Sequence, residues 1–202
     1  FMLGNYINLY VGHSKNQQIR WSASSGGIVS SLLIYLLEKK IIDGAIVVTE
    51  DDKDPLKPIP FIAKSKIEII KAMGSKYSPV ALNTVLKPLL RSRWSKATYA
   101  IVGLPCHIHG VRLIEKLSKF QMNKFPIKLH IGLFCSGIFS FLGLRYLLWK
   151  LGVNPKEVTE LKYRGRGWPG SMTIRTKKGT LIHVPFFVWY QLFSPHFFKP
   201  LA

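Results

Sequence analysis

The sequence predicts an α/β fold: a largely parallel sheet with flanking helices, a small N-terminal α/β subdomain and a C-terminal hairpin region. Three observations predict it. The runs "ATYAIVGLP" and "IKLHIGLFCSG" are apolar on both faces, as strands covered by helices on both sides must be. Each is followed by a helix-like segment, "HGVRLIEKLSKF" and "FLGLRYLLWKLG", the alternation of a parallel sheet. Beyond Pro155 the pattern changes, and "MTIRTKKGTLIHV" alternates apolar and polar residues around "KKG" as a hairpin does.

Taken in chain order, "IVSSLLIYLLEKK" places Val29, Leu32, Leu33, Leu36 and Leu37 at the i, i+3, i+4, i+7, i+8 spacing of an amphipathic helix. "SASSGG" precedes it and supplies Ser caps and flexible glycines, so this loop ends at a helix N-terminus that favours an anion. "AIVV" reads as a short strand, "TEDDKDPLKPIP" as an acidic, proline-broken turn and "FIAK" as a second strand. Leu82, Val85, Leu86, Leu89 and Leu90 again have helical spacing, with Ser78 as cap and Pro79 in the first turn. After the two apolar strands and their helices comes a Gly-rich loop, "ELKYRGRGWPGSM", and then the hairpin. The expected division is 1–92 and 93–202.

The chain has 202 residues, 48% of them hydrophobic, enough to bury a substantial core. Its 29 Lys and Arg against 10 Asp and Glu give a net charge of +19. Such a charge invites nucleic acid. The basic residues are scattered, however, without a run of five like charges, so an anionic small ligand or an acidic protein is the expected partner and nucleic acid is not. The longest uncharged stretches, Trp21 to Leu37 and Leu129 to Leu144, are short of clearly apolar residues and rich in Gly and Ser, so no membrane span is expected. Two cysteines make no disulfide framework and no secretory signal is visible, which points to a reducing, cytoplasmic setting. The chain starts at Phe1 and stops at "FFKPLA" without a cap or polar tail, so at least one end is expected to be missing.

The two cysteines share a context. Cys106 in "IVGLPCHIHG" and Cys135 in "IGLFCSG" each follow an apolar run, at the strand C-terminal ends where open α/β sheets bind ligands. Three readings stay open: buried structural thiols, a nucleophile served by His107 or His109, or cluster ligation, which takes about four thiolates where two are present. "SSGG" could cradle a phosphate or simply start a helix. "YRGRGWPG" offers two arginines for phosphate or carboxylate and a Trp for a planar ring, or else forms a surface turn whose Trp packs on the core. No catalytic residue is assigned, because no carboxylate pair stands out, and Walker-type and GxGxxG fingerprints are absent from the sequence.

Taken in order, "SSGGIVSSLLIYLLEKKIIDGAIVV", "GSKYSPV", "VGLPCHIHGVR", "IGLFCSG" and "KYRGRGWPG" resemble the coenzyme F420 hydrogenase/dehydrogenase beta-subunit family over about residues 8–200. The resemblance implies an oxidoreductase subunit that binds FAD and a [4Fe–4S] cluster and exchanges hydride with coenzyme F420, alongside other redox subunits of a hydrogenase or dehydrogenase. It also leaves a ferredoxin-linked reductase of another organic substrate as an alternative, and apart from the resemblance a basic nucleic-acid-binding or scaffold protein is the third reading. It maps cluster ligation onto Cys106 and Cys135, with a CxxC expected beyond residue 202. It maps flavin contacts onto Ser24, Ser25, Gly26 and Gly27; onto Ser75, Lys76, Tyr77, Ser78 and Pro79; and onto Arg164, Gly165, Arg166, Gly167, Trp168 and the loop as far as Gly170. In that mapping the helix N-terminus and the arginines serve the pyrophosphate, and Tyr77 or Trp168 the planar ring.

Overall fold

Strand pairing organises the described residues into a four-stranded sheet, a three-stranded sheet and a short two-stranded one. The computed structural model describes residues 5–91, 97–120, 125–135, 137–193 and 198–199. The chain runs through α1 (Gln17–Ser22), α2 (Ile28–Glu38), β1 (Gly44–Glu50), β2 (Pro58–Ala63), α3 (Lys66–Ala72), α4 (Asn83–Arg91), β3 (Tyr99–Gly103) and α5 (Pro105–Phe120). It continues with β4 (Ile127–Gly132), β5 (Ile138–Phe139), α6 (Phe141–Lys150), a 3-10 turn at Pro155–Glu157, β6 (Val158–Lys162), β7 (Ser171–Thr176), β8 (Leu181–Pro185), α7 (Phe186–Phe193) and β9 (Phe198–Lys199).

The main sheet has the order β2-β1-β3-β4, with β1, β3 and β4 parallel and β2 an antiparallel edge. It takes two strands from each side of residue 92. Successive residues of β1 face opposite layers: Ala45 and Val47 pack with Leu33, Leu36 and Ile69, whereas Ile46 packs with Leu82, Leu86, Ile101 and Val111. Both faces are therefore covered, which is why the strands read as unbroken apolar runs. The second sheet, β6-β7-β8, is antiparallel and closes with α6 and α7 over Leu147, Leu148, Leu161, Met172, Ile174 and Trp189.

The predicted hairpin is β7–β8, paired from Ser171↔Pro185 to Arg175↔Leu181. Three expectations are corrected. In α2 the buried residues are Leu33, Ile34 and Leu36, while Leu32 turns outward. The second helix begins at Asn83, not at Ser78, because the Ser78 hydroxyl is buried against the Tyr163 hydroxyl at 2.7 Å instead of capping a helix end. Leu82 and Leu86 are buried and Val85 and Leu89 pack beside them as the spacing predicts; of Leu90 only the backbone is described. Cys106 does not close a strand: it stands in the first turn of α5, whose first residue is Pro105, a position where a missing N–H costs nothing.

Candidate functional site

Three loops chosen from sequence, together with α1, come together at one side of the molecule. They are the α1–α2 loop, the turn after α3 and the β6–β7 loop. Ser24 Oγ accepts the backbone N–H of Ser75 at 2.7 Å, joining the first two. Arg164 joins all three. Its Nη2 donates to Ser24 O (2.8 Å), its Nη1 to the Tyr77 hydroxyl (3.0 Å) and its Nε to Pro169 O (2.8 Å), and its guanidinium lies 4.1 Å over the Phe186 ring. A planar fork of five donors suits this three-way clamp, which a lysine cannot reproduce.

The β6–β7 loop is folded tightly on itself and on α1. Gly170 has φ +82°, and a Cβ there would run into the carbonyl oxygens of Gly165 and Gly167. Gly167 donates its N–H to Trp21 O at 2.8 Å, and its missing Cβ leaves room for the Trp21 ring. Arg166 takes φ +62°, is exposed, and makes no hydrogen bond or ion pair among the described residues. Gly27 is the left-handed residue at the start of α2, so no side chain caps that helix and its first-turn N–H groups have no side-chain acceptor from the cap, an end that favours negative charge.

Beside these loops lies a cleft of about 950 Å³ lined by Gly12, His13, Gln17, Gln18, Arg20, Trp21, Ser25, Gly26, Gly167 and Trp168. Trp21 is 59% exposed and Trp168 75%. Two indoles left open on one cleft can hold a planar ring by stacking, and Arg20 in its lining and the start of α2 can supply positive charge for phosphates, with the exposed Arg166 next in the chain to Gly167. Sequence reading chose Trp168 and the Ser/Gly loop; it missed Trp21, Arg20 and His13. Their only sequence signal is position, in "HSKNQQIRWSASSGG" directly ahead of that loop, because α1 is too short to show a period.

Other expected contacts face inward. Lys76 Nζ donates to the carbonyls of Ala72, Met73 and Gly74 at 2.7, 3.2 and 3.2 Å and stands 3.6 Å from Glu50. It satisfies the open end of α3. Burial pushes its ammonium below the usual lysine range, with Glu50 opposing that shift. The Tyr77 ring is packed among Phe139, Tyr163 and Trp189, with centroids 5.2–5.6 Å away, so it is a core residue and no platform for a cofactor ring. Ser78 is buried and bonded to Tyr163, and the clamp takes three of the five N–H donors of Arg164.

The cysteines share the C-terminal edge of the parallel strands. Leu133 N donates to Gly103 O at 2.9 Å, tying the ends of β3 and β4 together. Cys106 is exposed and Cys135 half-buried, its thiol directed at Gly137 O. The turn after α3 links this edge to the cleft loops, since Tyr77 O accepts the N–H of Phe139. Burial holds His107 below the ordinary histidine range. Among the described residues no group of three or more His, Cys, Asp or Glu could hold a metal, and the whole chain has two cysteines, half of what a four-iron cluster takes.

The fold is a mixed α/β one whose sheet edge carries both thiols, and comparison with known proteins gives its family. Residues 9–87 match the family model for the N-terminal part of the coenzyme F420 hydrogenase/dehydrogenase beta subunit, and residues 96–191 match the model for its C-terminal part. The chain belongs to the coenzyme F420 hydrogenase/dehydrogenase beta-subunit family. It is 32% identical over 191 residues to the coenzyme F420 hydrogenase subunit beta of Methanosarcina barkeri, covering 91% of this chain and 62% of that protein. It is also 32% identical over 145 residues to a coenzyme F420-dependent sulfite reductase of Methanocaldococcus jannaschii, covering 66% of this chain and 22% of that one. The structure of the F420-reducing [NiFe] hydrogenase complex from Methanosarcina barkeri contains a chain similar at TM-score 0.64 and 28% identity, matching 95% of this chain and 64% of that one. The chain thus spans about 60% of the length of the hydrogenase beta subunits it matches.

Proposed function

We propose that the chain is the flavin-binding part of a cytoplasmic electron-transfer subunit that couples one-electron transfer from a [4Fe–4S] cluster to hydride exchange with coenzyme F420. The observation that carries this reading is the Arg164 clamp, which joins three separate family loops, two of them lining one cleft with two open indoles. FAD fits the residues present: Trp21 and Trp168 for the ring, and Arg20 in the lining, the exposed Arg166 next to Gly167 and the bare start of α2 for the pyrophosphate. Bound there, a flavin supplies the change between single electrons and a hydride pair. The chain's own part is to position that ring, pair the phosphate charge and keep the clamp closed. The cluster fits incompletely, since Cys106 and Cys135 provide two of about four thiolates, and the remainder must come from outside these 202 residues. Support for coenzyme F420 as substrate comes from the relatives, which are named as F420-dependent oxidoreductases or their subunits.

The test is an anaerobic absorbance spectrum of the full-length protein with iron and sulfide assays, followed by F420 and a reductant. Flavin bands, about four irons and bleaching of F420 are expected. Flavin and iron without F420 turnover would transfer the reading to a ferredoxin-linked reductase, and a colourless protein would end it. Cys106→Ala and Cys135→Ala are expected to lose iron while keeping flavin; full iron in either variant removes that cysteine from the ligand set.

A further inference from the structure

Away from the flavin cleft, a second groove of about 680 Å³ runs between the β1–β2 turn, the first turns of α6, the 3-10 turn and the β7–β8 hairpin. Leu56, Phe141, Pro155 and Val158 lie along it, and Phe141 is 43% exposed. Lys53, Lys57, Arg145, Lys156 and Lys177 rim it, all of them exposed.

The charge on this rim is not neutralised within the chain. None of the five cationic groups makes an ion pair or a side-chain hydrogen bond among the described residues. The neighbouring acids are committed elsewhere. Asp52 pairs with Lys71 at 2.8 Å, Glu50 faces Lys76, and Glu157 faces Lys178 at 3.1 Å. Asp51 and Asp54 accept the backbone N–H groups of Lys53 and Leu56, which shapes the turn that holds Lys53 and Lys57 out. Asp54 is the single carboxylate lining the groove.

We infer that this groove docks an acidic segment of a partner protein, with an apolar side chain of that segment seated beside Phe141. An apolar centre with a charged rim is the layout of a protein interface. A small polyanion needs donors that converge and are held in place, whereas four of these five are lysines on flexible stems exposed to water. A second copy of this chain brings its own +19 and is repelled. A nucleic-acid strand looks for aromatic faces to stack on, and among the described residues this lining offers a single phenylalanine beside aliphatic and proline residues. Opposite charge on an open rim acts chiefly on the association rate and on specificity. The inference is independent of the flavin reading, since no residue of the groove belongs to the cleft.

The full chain is titrated with a fluorescein-labelled oligoglutamate peptide that carries one leucine, and binding is read by anisotropy at low and at physiological salt. The variant is Lys53→Glu/Lys57→Glu/Lys177→Glu. The control, Lys39→Glu/Lys66→Glu/Lys116→Glu, changes net charge equally on other exposed lysines. A glutamine triple at Lys53, Lys57 and Lys177, compared with a glutamine triple at Lys39, Lys66 and Lys116, replaces that pair if circular dichroism or melting shows misfolding. About tenfold weaker binding in the groove variant, against less than about threefold in the control, is expected from three lost attractions and three new repulsions. Equal losses in the two, or no loss in the groove variant, overturn the inference. So does a groove variant that loses single-stranded DNA binding more than peptide binding, which would assign the groove to phosphate.

Discussion

Replacing Arg164 by Ala removes three charge-assisted hydrogen bonds, to Ser24 O, the Tyr77 hydroxyl and Pro169 O, together with a stack on Phe186. Hydrogen bonds to charged groups contribute about 1.5–3 kcal/mol each, and a cation over a ring about 0.5–1. Arg164 is half-buried, so water reaches the acceptors once the side chain is gone and returns part of that energy. Taking the lower end for each bond and allowing for the water leaves a net loss of roughly 3 kcal/mol. For a chain of this size that is a fall in melting temperature of about 6–12 °C. Arg164→Lys keeps the charge but reaches one acceptor at a time, and should lose about 2 kcal/mol. Urea unfolding followed by tryptophan fluorescence gives the stability, and flavin retained after gel filtration gives the state of the cleft. Both should fall together, because the clamp holds the loops that line it. An Arg164→Ala variant within about 0.5 kcal/mol of the parent and with full flavin would refute the clamp.

Other perturbations separate site from scaffold. Arg166→Ala should leave stability within about 0.5 kcal/mol, since that side chain is exposed and without a partner in the described chain, while lowering flavin occupancy; unchanged occupancy returns Arg166 to a surface turn. Burial pushes the Tyr163 phenol up to about 12, and the Ser78 hydroxyl opposes that shift. The folded state then holds its proton above pH 10, where the unfolded chain releases it, so this stability is complete below about pH 10 and is lost as pH rises toward about 12. Tyr163→Phe should remove about 2–3 kcal/mol of that alkaline loss, read as urea midpoints across the range; an unchanged profile would place the titration elsewhere. Gly170→Ala forces a Cβ into the Gly165 and Gly167 carbonyls at a positive φ and should cost about 2–4 kcal/mol, measured by thermal melting. A melting point equal to the parent's would show that the loop has room to open.

The buried strands, α2, α6 and the β7–β8 hairpin were legible because each writes its period within a few residues: both-face burial in Ala45–Val47 and Ala100–Ile101, alternation around Lys178–Gly179. The family resemblance grouped the loops of Ser24, Ser75 and Arg164, and the structure brings those three residues into contact. Strand β6 was not: five residues between two loops carry too little pattern, and it is its pairing with β7 that makes it a strand. Nor were the directions of the polar groups. Arg164 and Lys76 look in sequence like free cations for a phosphate, and Ser78 like a helix cap. Which way each one faces depends on Ser24, Glu50 and Tyr163, groups 26 to 140 residues away along the chain. Local composition and period thus determined the layers of this protein. Packing alone decided which of its charges remain open to a ligand, because a buried donor goes to the nearest acceptor that the fold brings to it, and that acceptor is seldom a neighbour in sequence.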